Sequence, residues 1–153
     1  MEIRTATEAD IDGLVASQTG LFATDAAPND PLRDQSWPRN HGAEATKANL
    51  ANPDCLVLVA DADGTIAGHL LGGYYPPNDM WTAPRATLIS MHVHADWRGH
   101  GAGSQFVDRF KQWARDRGAV RLHVTAYAAN EGAIRFYRRH GFAPLEITFA
   151  SGS

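Results

Sequence analysis

The feature of this chain that most constrains its fold is a glycine-rich turn between a strand pattern and a helix pattern. The strand pattern covers residues 86–94, and a second one follows the helix at 120–126. Since a helix connects the two strands, we predict that they pair in parallel. The turn itself is Arg98-Gly99-His100-Gly101-Ala102-Gly103, and the apolar face of the helix is formed by Phe106, Val107, Phe110, Trp113 and Ala114.

The other patterns predict an α/β domain whose mixed sheet is mostly antiparallel. Residues 55–61 and 66–75 form two strand patterns joined by Asp63-Gly64, a strong hairpin signal. Three prolines between Asp25 and His41 indicate an irregular loop there. The remaining predicted elements are a strand at 2–5, a helix that begins after Thr7 and includes Phe22, a helix at 42–51, a helix from Asn130 to Gly141, and a last strand near 143–150.

Length and composition favour one domain over residues 1–153 and exclude several kinds of partner. The chain carries 14 Lys+Arg against 17 Asp+Glu, a net charge of −3, which argues against a nucleic-acid binder. No apolar stretch approaches 18 residues, so we expect no membrane partner. Residues 1–5 lack the pattern of a signal peptide, which predicts a cytoplasmic protein. The single cysteine, Cys55, opens an apolar run and is interpreted as a core residue rather than a nucleophile.

The chemistry of the glycine turn favours phosphate binding. Glycines let the backbone approach a ligand closely, and the unpaired N–H groups at a helix start attract anions. The turn is not a Walker loop, because no Gly-Lys-Ser/Thr follows, and its spacing differs from the dinucleotide fingerprint. The alternative is that Gly101 and Gly103 only permit a tight turn.

Two segments carry a resemblance to a known family. The run from Met91 to Gly103 resembles motif A of the Gcn5-related N-acetyltransferase (GNAT) family, with Arg98, Gly101 and Gly103 on its fixed positions. The segment 129–142 is similar to motif B, with its Asn, Phe-Tyr pair and terminal Gly-Phe. The resemblance implies the GNAT fold: a mostly antiparallel sheet with one parallel, splayed strand pair and about four flanking helices. It also implies an acyltransferase that uses acetyl-CoA as co-substrate and needs no metal.

The resemblance implies roles for particular residues. The turn would bind the pyrophosphate of CoA, the strand before it would offer backbone groups to pantetheine and thioester, and Tyr137 would protonate the departing thiolate. Asn130 is open between a helix N-cap and a CoA contact, and Tyr137 has the alternative of a core residue. The cofactor-binding set is Met91, His92, Val93, Arg98, Gly99, His100, Gly101, Ala102, Gly103, Ser104, Asn130, Ala133 and Tyr137.

The sequence departs from the family at the general base, because residues 86–95 contain no Glu. His92 is the candidate that replaces it, with an ordinary pKa suited to proton transfer. The alternative is a hydrogen-bonded polar residue on a half-buried strand. His92 and His94 lack a third ligand at a recognisable spacing, so we expect no metal site.

The proposed acceptor is the primary amine of a small molecule, which attacks directly in a ternary complex. Two alternatives stay open: acetylation of a protein N-terminus or lysine, and a CoA-binding sensor without catalysis. The oligomeric state is also open, with a homodimer among the options. His69 and His123 are further residues that we consider for the cleft. Acids and aromatics suited to a cationic acceptor are Asp25, Asp30, Trp37, Glu44, Tyr74, Tyr75 and Asp79.

Overall fold

The computed structural model describes residues 1–153, and its five strands form one mixed sheet. The strands are β1 (Glu2–Thr5), β2 (Cys55–Ala62), β3 (Thr65–Tyr75), β4 (Arg85–Val93) and β5 (Arg121–Val124). They lie in sequence order across the sheet, and only β4 and β5 pair in parallel. The predicted fold class, with its hairpin and its parallel pair, is confirmed.

Four helices of nine or more residues flank the sheet, as predicted. They are α1 (Ile11–Leu21), α3 (Ala43–Ala51), α4 (Ala102–Asp116) and α5 (Glu131–Arg139), and α2 (Ala27–Asn29) is a single turn. The chain enters α1 through a short 3-10 turn, where the Thr7 N–H donates to the Asp10 carboxylate at 2.8 Å. This local bond explains why the helix start was visible in the sequence.

The sheet is covered on both faces. On one face, α4 buries Phe106 and Phe110 against β2, β3 and β4 in the main core. On the other face, Leu14 of α1 packs with Val57 and Val59 of β2 in a smaller cluster. Because successive strand residues point to opposite faces, β2 is apolar throughout.

The parallel pair separates halfway along β4. Pairing between β4 and β5 ends at Leu88 and Val124, and Ile89 is an extra residue that has no partner on β3. From this bulge to Val93, β4 is hydrogen-bonded to β3 alone. Backbone groups of β4 that do not bond β3 therefore face a gap where β5 has diverged. The splayed pair implied by the family resemblance is present.

The prediction of an irregular loop between Asp25 and His41 is partly wrong. A π-helical turn, Phe22–Ala26, continues α1 into α2, and a second π-helical turn, Pro38–Gly42, leads into α3. Pro38 lies in the first turn of a helical segment, where the missing N–H of proline costs nothing. Pro28 lies in the last turn of the continuous helical segment that runs from Ile11 to Asn29. Pro38 therefore marks a helix start, whereas Pro31 lies in the turn between the two helical segments, as expected of a loop residue.

The predicted last strand near 143–150 is absent, and these residues have no regular structure. Leu145, Ile147 and Phe149 alternate as in a strand, but they are 64%, 73% and 88% exposed. A strand needs a neighbour that accepts its backbone hydrogen bonds, and this segment pairs with none. The alternation of apolar and polar residues predicted a strand, but the single chain provides no neighbouring strand for it.

Candidate acyl-CoA site

The glycine turn presents a row of free backbone donors at the start of α4. The first helical hydrogen bond of α4 joins the Gln105 N–H to the Gly101 carbonyl at 3.1 Å, and each N–H from Gly99 to Ser104 lacks an acceptor within the chain. The first turn of α4 contains no acidic residue, and the positive end of its dipole adds to the donors. This arrangement fits a pyrophosphate.

The backbone conformation of the turn explains its glycines. Gly99 and Gly101 have φ angles of +81° and +82°, in the left-handed region that other residues rarely adopt. At Gly103, an added Cβ would lie 3.3 Å from the ring of Phe136 in α5. Gly99 and Gly101 are therefore required by the conformation of the turn, and Gly103 by the close packing of α4 against α5. These structural requirements are compatible with phosphate binding by the same turn.

Two basic side chains frame the turn. Arg98 is exposed, and its Nε donates to the Val93 carbonyl at 3.1 Å, which holds the guanidinium beside the end of β4. The His100 Nδ1 lies 3.2 Å from the Trp97 carbonyl. The Oγ of Ser104, in the first turn of α4, is 3.1 Å from the Nε2 of His140 at the end of α5. The positive charge of Arg98 and the polar side chains of His100 and Ser104 therefore lie next to the free amides in the sequence.

Asn130 is the N-cap of α5. Its Oδ1 accepts the Ala133 N–H at 3.0 Å, and its Nδ2 donates to the Asp25 Oδ1 at 2.8 Å. The first bond confirms the cap. The second ties α5 to the π-helical turn after α1, a contact across 105 residues that the sequence did not predict.

Tyr137 lies on the apolar face of α5, and its hydroxyl has no hydrogen-bond partner within the chain. The ring packs edge-on against Phe136 and Phe142, at 5.3 and 5.8 Å between centroids. The hydroxyl makes no hydrogen bond in the chain, so the expected backbone partner of a merely structural tyrosine is absent. Burial, helped by the negative charge of Asp25, raises the pKa of Tyr137 to about 12. The phenol therefore carries its proton throughout the neutral range.

His92 lies on β4 facing α1, and it is only 8% exposed. Gly20 makes room for it, since a Cβ there would lie 2.8 Å from the His92 Nε2. Burial, followed by the positive charges of Arg98 and His94, lowers the pKa of His92 to about 4. The expectation of a pKa suited to proton transfer is therefore wrong for the free protein, because packing against α1 excludes water from the ring. His92 is a neutral imidazole at pH 7.

His69, a candidate for the cleft from its sequence, belongs to a chain of polar side chains behind His92 that the sequence did not predict. His69 of β3 pairs in register with His92 and is fully buried. Its Nδ1 lies 2.6 Å from the Ser17 Oγ of α1, and its Nε2 lies 3.0 Å from the Ser90 Oγ of β4. Burial lowers the pKa of His69 to about 3, so the ring is neutral and links α1 to β4. Ser17 on the inner face of α1 was the available signal.

The residues considered for the acceptor pocket separate into two groups. Tyr74 and Tyr75 pair with Ala86 and Arg85 at the start of β4, roughly 20 Å of strand away from His92, and Asp79 follows them. His123 is also at that end, where it lies beside Trp81. These residues do not meet the glycine turn. At the other end, Asp25 is held next to α5 by Asn130, and Asp30 follows α2.

Trp37 and Glu44 lie together on the outer surface of the helical layer. With His41, Ala45 and Ala48 they line an open groove of about 370 Å³, and the Trp37 ring stacks on Phe22 at 5.9 Å. Phe22 begins the same π-helical turn that contains Asp25. The aromatic pair thus supports the segment that carries Asp25.

Cys55, at the start of β2, is removed from both the turn and Tyr137. Burial raises the pKa of its thiol, which opposes thiolate formation. Cys55 is only partly buried and belongs to neither core cluster, so its interpretation as a core residue is correct only in part. Elsewhere in the chain, the structure contains no group of three or more His, Cys, Asp or Glu arranged to hold a metal ion. None of the helices has the length and apolarity that a bilayer span requires.

A strand, a turn of free amides, the helix that follows it and a splayed neighbouring strand together define an α/β fold with an anion-binding turn beside an open strand pair. The family model described as "Acetyltransferase (GNAT) family" matches residues 24–142. The chain belongs to the GNAT family.

Individual relatives agree with this assignment. An acetyltransferase of Yersinia pestis (strain Pestoides F) is 29% identical over 72% of this chain and 66% of its own length. A streptothricin acetyltransferase of Streptomyces lavendulae is 32% identical over 80% of this chain and 63% of its own length. The matched region thus spans about two thirds of these relatives.

Solved structures share the fold. The BH1408 protein of Bacillus halodurans, as a tetramutant, superposes with a TM-score of 0.88 at 18% identity and covers all of both chains. The aminoglycoside N-acetyltransferase AAC(6')-Iy in complex with CoA gives 0.76 at 14% identity, over 99% of this chain and 98% of its own.

Proposed function

We propose that this chain transfers the acetyl group of acetyl-CoA to a primary amine of a small molecule. The observation that carries the proposal is the row of free N–H groups from Gly99 to Ser104, which lies beside the gap between β4 and β5. A pyrophosphate at the turn would direct the pantetheine arm along β4, past Met91, His92 and Val93. Met91 and Val93 themselves pack against the main core, so only their backbone is offered.

The proposed reaction is direct attack in a ternary complex. The neutral form of the amine, a small fraction at pH 7, attacks the thioester carbon, and backbone N–H groups of β4 stabilise the negative oxygen. The carbon–sulfur bond breaks, and Tyr137 gives its proton to the departing thiolate and recovers one from solvent. The neutral imidazole of His92 is the proposed acceptor of the proton that the amine loses, and its low pKa favours release of that proton after the reaction. The position of Cys55 on β2 supports direct attack over an acyl-enzyme.

Small-molecule acceptors are supported by the relatives. The Streptomyces relative is named for streptothricin, and two solved neighbours are named as aminoglycoside acetyltransferases. The proposal also includes a cytoplasmic location, where acetyl-CoA is supplied by metabolism.

A two-stage experiment tests the function. Acetyl-CoA should raise the melting temperature, and release of free CoA thiol should follow the addition of streptothricin, an aminoglycoside, spermidine or lysine. Turnover on a peptide N-terminus alone would replace the small-molecule acceptor by a protein. Stabilisation without turnover on any amine would favour the sensor.

We also propose that the chain forms a homodimer through residues 143–150. The outer edge of β5 has no strand neighbour, and the exposed alternation of Leu145, Ile147 and Phe149 fits such an edge. Two copies that exchange this segment would bury it reciprocally. Light scattering should give a dimer for the full chain and a monomer for a chain ending at Phe142. A monomeric full chain would contradict this proposal.

A further inference from the structure

Asp25 lies between the two groups that the proposed reaction uses. It belongs to the π-helical turn Phe22–Ala26, and such turns inside helices are frequent at functional sites. Its charge acts on both Tyr137 and His92, where it favours the protonated form of each. These two residues are on α5 and β4, and the bond from Asn130 holds Asp25 at the start of α5.

The carboxylate of Asp25 is held in place on one side only. Its Oδ1 accepts from the Asn130 Nδ2 at 2.8 Å and from the Asn29 Nδ2 at 3.3 Å. Asn29 also donates to the Asp25 carbonyl at 2.7 Å, which fixes the local backbone. The Oδ2 accepts no hydrogen bond from the chain.

No positive charge of the protein pairs with this carboxylate. The ion pairs of the chain join Arg4 to Asp10 and Asp61, Arg117 to Asp54, Arg135 to Glu131 and His94 to Asp96, and none includes Asp25. A half-buried carboxylate held by neutral amides is left with uncompensated negative charge. A cationic ligand that reached Oδ2 would supply the missing partner.

We propose that Asp25 binds, through Oδ2, an ammonium group of the acceptor other than the amine that is acetylated, and thereby selects acceptors that carry a positive charge at neutral pH. This inference rests on the proposed function and adds to it the charge of the substrate. Asn130 orients Asp25 and caps α5, the helix that carries Tyr137. The ammonium is therefore held on the same frame as the proposed proton donor. Asp25 makes no bond to the acetyl group and takes no part in the covalent step.

The test compares Asp25→Asn with Asp25→Glu and with the control Asp12→Asn. Asp25→Asn keeps an oxygen for Asn130 and removes the charge, whereas Asp25→Glu keeps the charge. Asp12 is an exposed residue of α1 without a side-chain partner, so its variant makes the same change in net charge away from the site. Each variant is measured with the best acceptor among streptothricin, an aminoglycoside, spermidine and lysine.

We expect Asp25→Asn to raise the KM for the cationic acceptor about tenfold to a hundredfold, with kcat changed much less. Asp25→Glu should restore part of the loss, and Asp12→Asn should behave as the parent. Aniline, a primary amine that is neutral at pH 7.5, should react at the same rate with the parent and with Asp25→Asn. Melting temperature and acetyl-CoA stabilisation should stay unchanged, which would show that the fold and the CoA site are intact.

An unchanged KM in Asp25→Asn would overturn the inference and leave the proposed function standing. Equal losses in Asp25→Asn and Asp25→Glu would also overturn it, because the effect would then be structural. If the parent acetylates none of the amines although acetyl-CoA stabilises it, the proposed function fails and the inference fails with it.

Discussion

Gly101 and Gly118 form a matched pair that separates backbone strain from ligand binding. Their φ angles are +82° and +80°, and an added Cβ would meet nothing closer than 3.9 Å at Gly101 and nothing within 4 Å at Gly118. Gly101 precedes α4 among the free amides, and Gly118 follows the same helix at its other end. Replacement by Ala forces a left-handed conformation at either site, which costs roughly 1–2 kcal/mol.

The two variants should therefore lose similar stability. In a domain of this size each kcal/mol lowers the melting temperature by about 2–4 °C, so both should melt roughly 2–8 °C below the parent. Acetyl-CoA at about 100 times its Kd adds about 2.7 kcal/mol, or roughly 5–11 °C, to the parent. We expect the same shift in Gly118→Ala. We expect Gly101→Ala to bind acetyl-CoA about a hundredfold more weakly. The stabilisation by the ligand would then fall to about 0.4 kcal/mol, or roughly 1 °C in melting temperature.

Thermal unfolding with and without acetyl-CoA measures both quantities in one experiment. Equal ligand shifts in Gly101→Ala and Gly118→Ala would refute the assignment of the turn as the pyrophosphate site. A larger loss of stability in Gly118→Ala would instead contradict the strain estimate and leave the site intact.

Three further variants test the proposed chemistry and the polar chain behind it. Tyr137→Phe keeps the ring packing and deletes the proton, so kcat should fall about ten- to a thousandfold with acetyl-CoA affinity unchanged; a fully active variant would make Tyr137 structural. His92→Ala should lower kcat/KM at least about tenfold, and the pH profile should lose the inflection near pH 4 that the pKa of His92 predicts. The pKa of His69 is about 3 in the folded protein and has its ordinary value of 6.5 in the unfolded chain. Between pH 3 and pH 6.5 the unfolded chain therefore binds a proton at His69 that the folded protein does not. Stability should thus fall as the pH drops below 6.5, by up to about 1.4 kcal/mol per pH unit, and urea unfolding of His69→Gln at pH 7 and pH 5 should show a smaller decline.

Local signals were sufficient for most of the fold. The hairpin at Asp63-Gly64, the cap at Asn130 and the apolar face of α4 are each specified by residues a few positions apart, and each is present. The last strand failed because pairing is a property of two segments. Leu145, Ile147 and Phe149 have the right alternation, but no edge within the chain accepts them.

The site was predictable where the backbone makes it and less so where side chains do. The glycine turn follows from its own sequence, whereas the pKa of His92 depends on burial beneath Gly20, 72 positions earlier. Likewise, the bond from Asn130 to Asp25 joins residues from opposite ends of the chain. Neither pairing leaves a mark in a single sequence.

The role of α5 follows from how it is attached. None of its residues is fully buried, so it is fixed to the domain less by the core than by specific contacts. Gly103 lies against Phe136, Ser104 meets His140, and Asn130 holds Asp25. The first two contacts tie α5 to the proposed pyrophosphate turn, and the third ties it to the proposed acceptor site. A helix with few buried residues moves more easily than a core element. We therefore expect ligand binding at either site to shift α5 and, with it, the position of Tyr137.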